Sequence, residues 1–250
     1  MNTKCIGITV CVDYAPLLEI TLKHNTQALE HIFVVTKSSD EQTIDTCNSY
    51  NNVTCLIYDF KVDVGFIHNH LKRFKSGHMN NSPDMRPEFF QRVIDSANDG
   101  GFNKGGGLRL GQEAGRDQYP GHYQIIMDSD IILPQQINSA LDDIELIPGK
   151  LYVPTERRDY HSLESYNNQS DYKRMYPNRE GWGFFQMYTP VTESDRVYYD
   201  DWPAANKTDV WFRDDITKRN HDNIISLCAH VDHLGRVGDS IHYQKYDFIF

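Results

Sequence analysis

The chain of 250 residues contains no long apolar run. Nothing in it approaches the roughly 18–20 consecutive apolar residues that a membrane-spanning helix needs, and its mean hydropathy is −0.59. It has no cysteine pair at C-x-x-C spacing. Its five cysteines, Cys5, Cys11, Cys47, Cys55 and Cys228, are an odd number, which speaks against a zinc or redox motif and predicts buried free thiols. It also lacks a cationic excess: 25 Lys and Arg stand against 35 Asp and Glu, for a net charge of −10. Such a field repels phosphate backbones and counts against tight non-specific DNA binding by the whole molecule. There is no internal repeat, no low-complexity tract, no Walker spacing and no dinucleotide-binding glycine fingerprint. The apolar segment after Met1-Asn2-Thr3-Lys4 is ended by Asp13, too short and too strand-like for a secretory signal. These features predict a cytoplasmic protein with no membrane span.

What is present is a βαβ pattern. Residues 4–12, His31–Thr36 and Val53–Tyr58 are short apolar runs rich in β-branched residues, which read as buried strands. A helix is predicted after Pro16 and another after Ser38-Ser39-Asp40-Glu41. From about 60 to 101 the pattern degrades into an insertion or lid, and a helix then spans roughly 104–116 before a fourth strand at Tyr123–Met127. Strands alternating with helices predict a parallel sheet, and open parallel sheets bind ligands beyond the carboxyl ends of their strands. The second half reads as strands at 151–153, 184–188 and 224–228, a Tyr-rich loop over about 155–180 and a short helix near 209–219.

The candidate chemistry sits after those strands. Asp128-Ser129-Asp130 carries two carboxylates one residue apart at a strand end, an oxygen-ligand set suited to Mg²⁺ or Mn²⁺ together with diphosphate oxygens. A single D-x-D is a weak signal, because Asp is common in turns; its position after strand four strengthens it. Gly101-Phe102-Asn103-Lys104-Gly105-Gly106-Gly107 precedes a helix and reads either as a flexible loop or as a diphosphate cradle with Lys104 supplying charge. His233 and His242, in a glycine-punctuated tail, could complete a metal shell, His233 being the better placed. Asp209 is either a helix-dipole aspartate behind Thr208 or a catalytic base, with Asp214 and Asp215 as substitutes. The loop with Tyr160, Tyr166, Tyr172 and Tyr176 is either solvated, with its acids and bases in balance, or a stacking surface for a sugar or base.

Taken in order, "VDY" after the first strand, "FVVT", "FNKG" before a helix, "IIMDSDIILP", "GWGFFQMY", "TDVWFR" and "HLG" resemble the inverting, family-two-like glycosyltransferases of the GT-A fold, of bacterial and viral type. The resemblance covers most of the chain except roughly 60–100. It implies one GT-A domain over 1–250: a nucleotide-sugar-binding half over 1–130 with the insertion at about 60–101, and an acceptor-binding half over 131–250. It implies that Thr9, Val10, Asp13, Tyr14 and Thr36 line the base and ribose pocket, and that Asn103 and Lys104 approach the diphosphate. It implies that Asp128 and Asp130 hold ribose and Mn²⁺ or Mg²⁺, that His233 is a third metal ligand, that Gly183 and Phe185 border the acceptor, and that Asp209 is the base. Thr208 stands where the family's base motif has glutamate, and Thr36 where many members place an acid near uracil. The implied activity is hexosyl transfer from a nucleotide diphosphate-sugar, such as a UDP-sugar, to a saccharide, protein, small-molecule or, for a viral source working in host cytoplasm, modified-nucleobase acceptor. A nucleotidyltransferase also uses paired aspartates on an α/β fold, but it needs a phosphate loop near its first strand, and "TVCVDYAP" has none. A non-catalytic carbohydrate- or nucleotide-binding module is the third reading.

Overall fold

The structure is a computed structural model that describes residues 5–61, 102–134, 137, 141, 147–176, 183–190 and 208–235. The expected insertion beyond Lys61, together with Arg179, Glu180 and His242, lies outside them. Along the chain run β1 (Cys5–Val10), α1 (Ala15–Ala28), β2 (His31–Thr36), α2 (Glu41–Asn48), β3 (Val53–Ile57), α3 (Lys104–Gln118), β4 (Tyr123–Met127) and β5 (Ile131–Ile132). Then follow β6 (Leu151–Tyr160), α4 (Leu163–Asn167), β7 (Tyr172–Met175), β8 (Phe185–Tyr188), α5 (Thr208–Thr217), a 3-10 turn (His221–Asn223) and β9 (Ile224–Leu234).

The strands form one sheet in the order β3-β2-β1-β4-β8-β6-β9-β5, with β7 paired to β6. β1 runs parallel to both β2 and β4, and β2 parallel to β3. All residues of β1 and β2 are buried, as expected of parallel strands covered on both faces. β8 turns back antiparallel on β4, and β6 and β9 run parallel to each other beyond it. The result is the α/β class expected from the sequence, a Rossmann-like sheet of GT-A type flanked by helices. Among the described residues, no helix is long and apolar enough to cross a membrane.

Helix α1 buries Leu18, Leu22, Asn25 and Ala28 at helical spacing along one stripe, with a proline in its first turn where no backbone donor is lost. Helix α2 begins at Asp40, whose side chain accepts from Thr43 N at 3.2 Å. Helix α3 starts earlier than a glycine-rich loop would allow: Lys104-Gly105-Gly106-Gly107 forms its first turn, capped by Asn103 Oδ1 accepting from Gly106 N at 2.7 Å. The glycines of α3 recur at 107, 111 and 115, and a Cβ there would meet Phe60, Ile8 and Ile6 respectively. This row of absent side chains lets the helix axis lie close against β1.

Two strands are much longer than their apolar patterns predict. The run expected to become a loop at 155 continues as β6 to Tyr160, and the expected tail holding His233 is the end of β9. The polar residues that hide β6 are matched in pairs: Arg157 Nε lies 2.8 Å from Asp159 Oδ1, and Arg158 Nε 2.7 Å from Glu156 Oε1. Pattern reading cannot see a strand whose polar side chains satisfy one another. The Tyr-rich loop likewise contains α4 and β7. Tyr160 is buried and packs against the half-buried Tyr166 and Tyr172 at centroid distances of 5.4 and 5.2 Å, while Tyr176 is exposed. Of the five thiols, Cys5, Cys11 and Cys47 are buried, Cys55 is partly so and Cys228 is exposed.

The β6–β9 register changes partway. Pro154 pairs with Leu227, but Glu156 pairs with His230, so three steps along β9 match two along β6. Such a bulge changes which side chains share a face. After it Asp159 lies beside His233; in unbroken register it would lie beside Asp232. Thr155 Oγ1 donates to Leu227 O at the bulge.

The helix–sheet contact is testable at Gly111. A Cβ added there would sit 2.5 Å from Ile8 Cγ2 and 3.5 Å from Val35 Cγ2. Replacing glycine in a helix interior with a better former gains at most about 1 kcal/mol, whereas overpacking costs about 1–3 kcal/mol. Gly111→Val adds branching to the clash and is expected to lower unfolding free energy in urea by about 2 kcal/mol or more. Unchanged stability would show that α3 does not depend on the close approach.

Candidate functional site

The carboxyl ends of β1, β2 and β4 open on one side of the sheet, where three loops meet. The loop after β1 turns at Asp13, whose φ of 59° is left-handed, a conformation that Asp tolerates better than most residues. Asp13 N donates to Asp40 Oδ2 at 2.7 Å, and Thr36 Oγ1 donates to the same oxygen at 3.1 Å. Burial works against the Asp40 charge, but the hydrogen bonds from Asp13 and Thr43 outweigh it and hold the carboxyl below its ordinary range. Asp40 thus ties together the ends of β1 and β2 and the start of α2, a role that the sequence reading missed because it took Asp40 only as part of a helix start. Asp13 Oδ2 also accepts from Lys37 Nζ at 2.6 Å, on the exposed rim. Thr9, Val10 and Thr36, expected to line a base pocket, are buried in the sheet. Asp13 and the half-buried Tyr14 are the members of that set nearest solvent.

The Asp128-Ser129-Asp130 turn is held from three sides. Asp128 N donates to Phe184 O at 3.1 Å, and Leu234 N donates to Asp130 O at 2.9 Å. From α1, Thr21 Oγ1 donates to Ser129 O at 2.8 Å. Asn25 donates to Ile131 O and accepts from Leu133 N, both at 2.8 Å. These two buried polar residues break the apolar stripe of α1, which is the signal that could have singled them out.

The side chains of the turn diverge. Asp128 Oδ1 meets Lys104 Nζ at 2.5 Å, with Lys104 reaching across from the first turn of α3. Asp130 points inward: its side chain is 7% exposed, its Oδ2 lies 3.4 Å from His233 Nε2, and its Oδ1 is buried without a hydrogen-bond partner. His233 Nδ1 lies 2.8 Å from Asp159 Oδ1. Burial disfavours a charged His233, but the carboxylates of Asp130 and Asp159 outweigh it and push its pKa up to about 9. Burial opposes the Lys104 charge too, and Asp128, Asp209 and Asp130 together keep its pKa above the ordinary value.

Asp209, in the first turn of α5, completes the group. Gly183 N donates to its Oδ2 at 3.1 Å, and Gln186 Nε2 donates to its carbonyl at 3.1 Å. A Cβ on Gly183 would lie 2.5 Å from Asp209 Cβ, so only glycine fits there. Burial raises the Asp209 pKa; the nearby Lys104 lowers it and the nearby Asp128 raises it, and the net shift is upward. Asp214 is held by its neighbour Arg213 at 2.8 Å, and Asp215 is exposed. Phe185 belongs to the apolar core. Its neighbour Phe184 carries the Arg157 guanidinium 4.6 Å above its ring.

The structure therefore draws together Lys104, Asp128, Asp130, Asp209 and His233 from the expected set, and adds Asp159 and Arg157. Among the described residues, no three His, Cys, Asp or Glu side chains are arranged to hold a cation by themselves. Asp130 and His233 supply an oxygen and a nitrogen side by side, and the partnerless Asp130 Oδ1 is an atom that a cation would satisfy. Two protein ligands completed by substrate phosphates is a normal way to bind Mg²⁺.

Sequence comparison finds no matching family and no matching curated protein. Solved structures match the chain at low similarity. A 4-diphosphocytidyl-2C-methyl-D-erythritol synthase from Anaerococcus prevotii is 12% identical with a TM-score of 0.34, covering 75% of this chain and 70% of its own. An inositol-1-phosphate CTP transferase from T. maritima is 7% identical with a TM-score of 0.40, covering 93% and 89%. A protein named as a glucose-1-phosphate thymidylyltransferase from Bacillus anthracis, in complex with a sucrose, is also 7% identical with a TM-score of 0.40, covering 91% and 88%.

Asp40 gives the site a stability test. Its removal strands buried donors that each cost about 1–3 kcal/mol when unpaired. Asp40→Ala is expected to lose roughly 3 kcal/mol of unfolding free energy. Because its folded pKa lies below the model-compound 3.8, its ionised form contributes stability above that value, and the contribution fades as pH falls through the lower folded pKa. The stability gap between wild type and Asp40→Asn should therefore shrink below pH 3.8; a gap that widens on acidification would contradict this.

Proposed function

We propose that this protein is a metal-dependent glycosyltransferase that moves a sugar from a nucleotide diphosphate-sugar to an acceptor hydroxyl in one inverting displacement. The observation that carries the reading is the half-buried Asp209, fixed by Gly183 N, close enough to Lys104 and Asp128 for their charges to act on it, and with its pKa raised. A carboxylate with a raised pKa is a better proton acceptor, and a positioned base contributes typically about 10²–10⁴-fold. A divalent cation, Mn²⁺ or Mg²⁺, held by Asp130 and His233 would neutralise the departing diphosphate. Lys104 would add its charge to the same oxygens, exchanging its pairing with Asp128 for one with the donor. Asp128 would then be released toward ribose. Asp13 and Lys37, on the rim after β1 and β2, would meet the base. The division into a donor half over 1–130 and an acceptor half over 131–250 belongs to this proposal.

A nucleotidyltransferase must hold a triphosphate near its first strand. Here that turn presents the Asp13 carboxylate, 65% exposed, with no glycine. With Lys37 Nζ 2.6 Å from that carboxylate, what the turn lacks is a glycine backbone able to wrap a triphosphate, and this favours glycosyl transfer.

The two readings differ in product. Incubated with Mn²⁺ and a panel of nucleotide-sugars, the protein is expected to release nucleoside diphosphate; pyrophosphate released from nucleoside triphosphate and sugar phosphate instead would establish the other chemistry. Asp130→Ala should abolish release, and full activity in excess EDTA would refute the metal's role. Asp209→Asn should lower kcat at least about a hundredfold, about 2.7 kcal/mol of transition-state stabilisation, with donor affinity kept. Because Asp209 must be ionised to act, the acid limb of kcat/KM should fall at a pH above the ordinary carboxylate range and disappear in the variant. Retention of anomeric configuration, read by NMR, would rule out single displacement.

A further inference from the structure

We infer that Asp159 is a positioning residue for the cation site: it fixes the His233 ring so that Nε2, and not Nδ1, is presented beside Asp130. The inference rests on the proposed metal role of Asp130 and His233 and extends it to a residue outside that pair.

The geometry is specific. Asp159 Oδ1 lies 2.8 Å from His233 Nδ1, and on the opposite side of the ring Asp130 Oδ2 lies 3.4 Å from Nε2. The three side chains are 2%, 7% and 7% exposed, so solvent does not choose the ring's orientation. Asp159 is itself balanced: Arg157 approaches Oδ1 with Nε at 2.8 Å and donates from Nη2 to Oδ2 at 3.3 Å. With that charge answered, Asp159 acts on His233 through its 2.8 Å approach to Nδ1, a close charge contact on the side of the ring away from Asp130. The sheet secures the pair, since Asp159 and His233 are register partners on β6 and β9.

A carboxylate behind a ligating histidine fixes the tautomer that leaves the other nitrogen's lone pair for the metal and makes that nitrogen a stronger donor. A buried ion triad with no metal role is the competing account. Such a triad would satisfy its own atoms, whereas Asp130 Oδ1 and Asp159 Oδ1 are both buried here with no hydrogen-bond partner.

The test is Mn²⁺ affinity of the full chain in saturating UDP, followed by electron paramagnetic resonance. Outer-sphere partners of ligating histidines typically change metal affinity about 10–100-fold. Asp159→Asn is expected to weaken Mn²⁺ binding by that factor, and His233→Ala at least as much. The double variant should be no weaker than His233→Ala, because Asp159 acts only through the ring. Wild-type affinity in a folded Asp159→Asn protein would overturn the inference while leaving the metal reading intact; failure of the wild type to bind Mn²⁺ with UDP would overturn both. A second measurement needs no variant. In ¹⁵N-histidine-labelled wild type with UDP and Zn²⁺ as a diamagnetic probe, His233 should keep its proton on Nδ1 and bind metal through Nε2. The reverse assignment would refute the proposal.

Discussion

Four carboxylates, those of Asp128, Asp130, Asp159 and Asp209, share one partly desolvated region at the carboxyl end of the sheet, and the need to balance their charge organises the rest. Lys104 answers Asp128, Arg157 answers Asp159, and His233, charged until a cation takes the place of its Nε2 proton, lies between Asp130 and Asp159. Asp209 shares Lys104 with Asp128, and desolvation, with the Asp128 charge added, raises its pKa against the pull of Lys104. The cations come from α3, β6 and β9, so elements far apart in sequence are held at one place by electrostatics as well as by packing. Buried charge of one sign is expensive unless paired. Here the charges are nearly balanced, yet Asp130 Oδ1 and Asp159 Oδ1 are buried without a hydrogen-bond partner.

The scaffold beneath this balance is stiff where it needs to be. Asn25 and Thr21 grip the turn carrying Asp128 and Asp130 from α1, so that turn is held by side chains as well as by the sheet. Asp40 does the same for the loop that carries Asp13. At the other end of the site, glycine at 183 lets Asp209 approach the strand that follows it. Phe60 and Phe102 stack at 5.0 Å, and Asn103 N donates to Phe60 O at 2.9 Å. The chain therefore leaves and re-enters the described fold at one point, directly before Lys104.

Much of the parallel half was legible in the sequence. The runs at His31–Thr36 and Tyr123–Met127 are buried, unbroken and β-branched, and they became strands with those boundaries. The placing of Asp128 and Asp130 followed from the same pattern. The second half was less legible because its strands carry their polarity inside. Glu156, Arg157, Arg158 and Asp159 read as a solvated loop until their partners on β7 and β9 are known, and those partners are 13 or more residues away. His233 could be named as a ligand from its type and setting, but Asp159 could not, since nothing local distinguishes it from the neighbouring acids. The glycine run that opens α3 allowed both a loop and the helix expected from about 104; the helix forms, and the lack of side chains admits Tyr58 and Phe60 against it.

The bulge between Pro154 and Glu156 makes chain length in this region an odd-or-even matter. Because neighbours across β6 and β9 share a face only when their counts agree, gaining one residue between Leu227 and His233, with the bulge kept, would bring Asp232 to Asp159 and turn the histidine away. Gaining one residue in each strand would restore the match. Elsewhere on the surface a gained or lost residue is absorbed by a loop; here it would exchange a nitrogen ligand for a second oxygen. Among related sequences, this stretch of β9 should change length only in step with its partner strand.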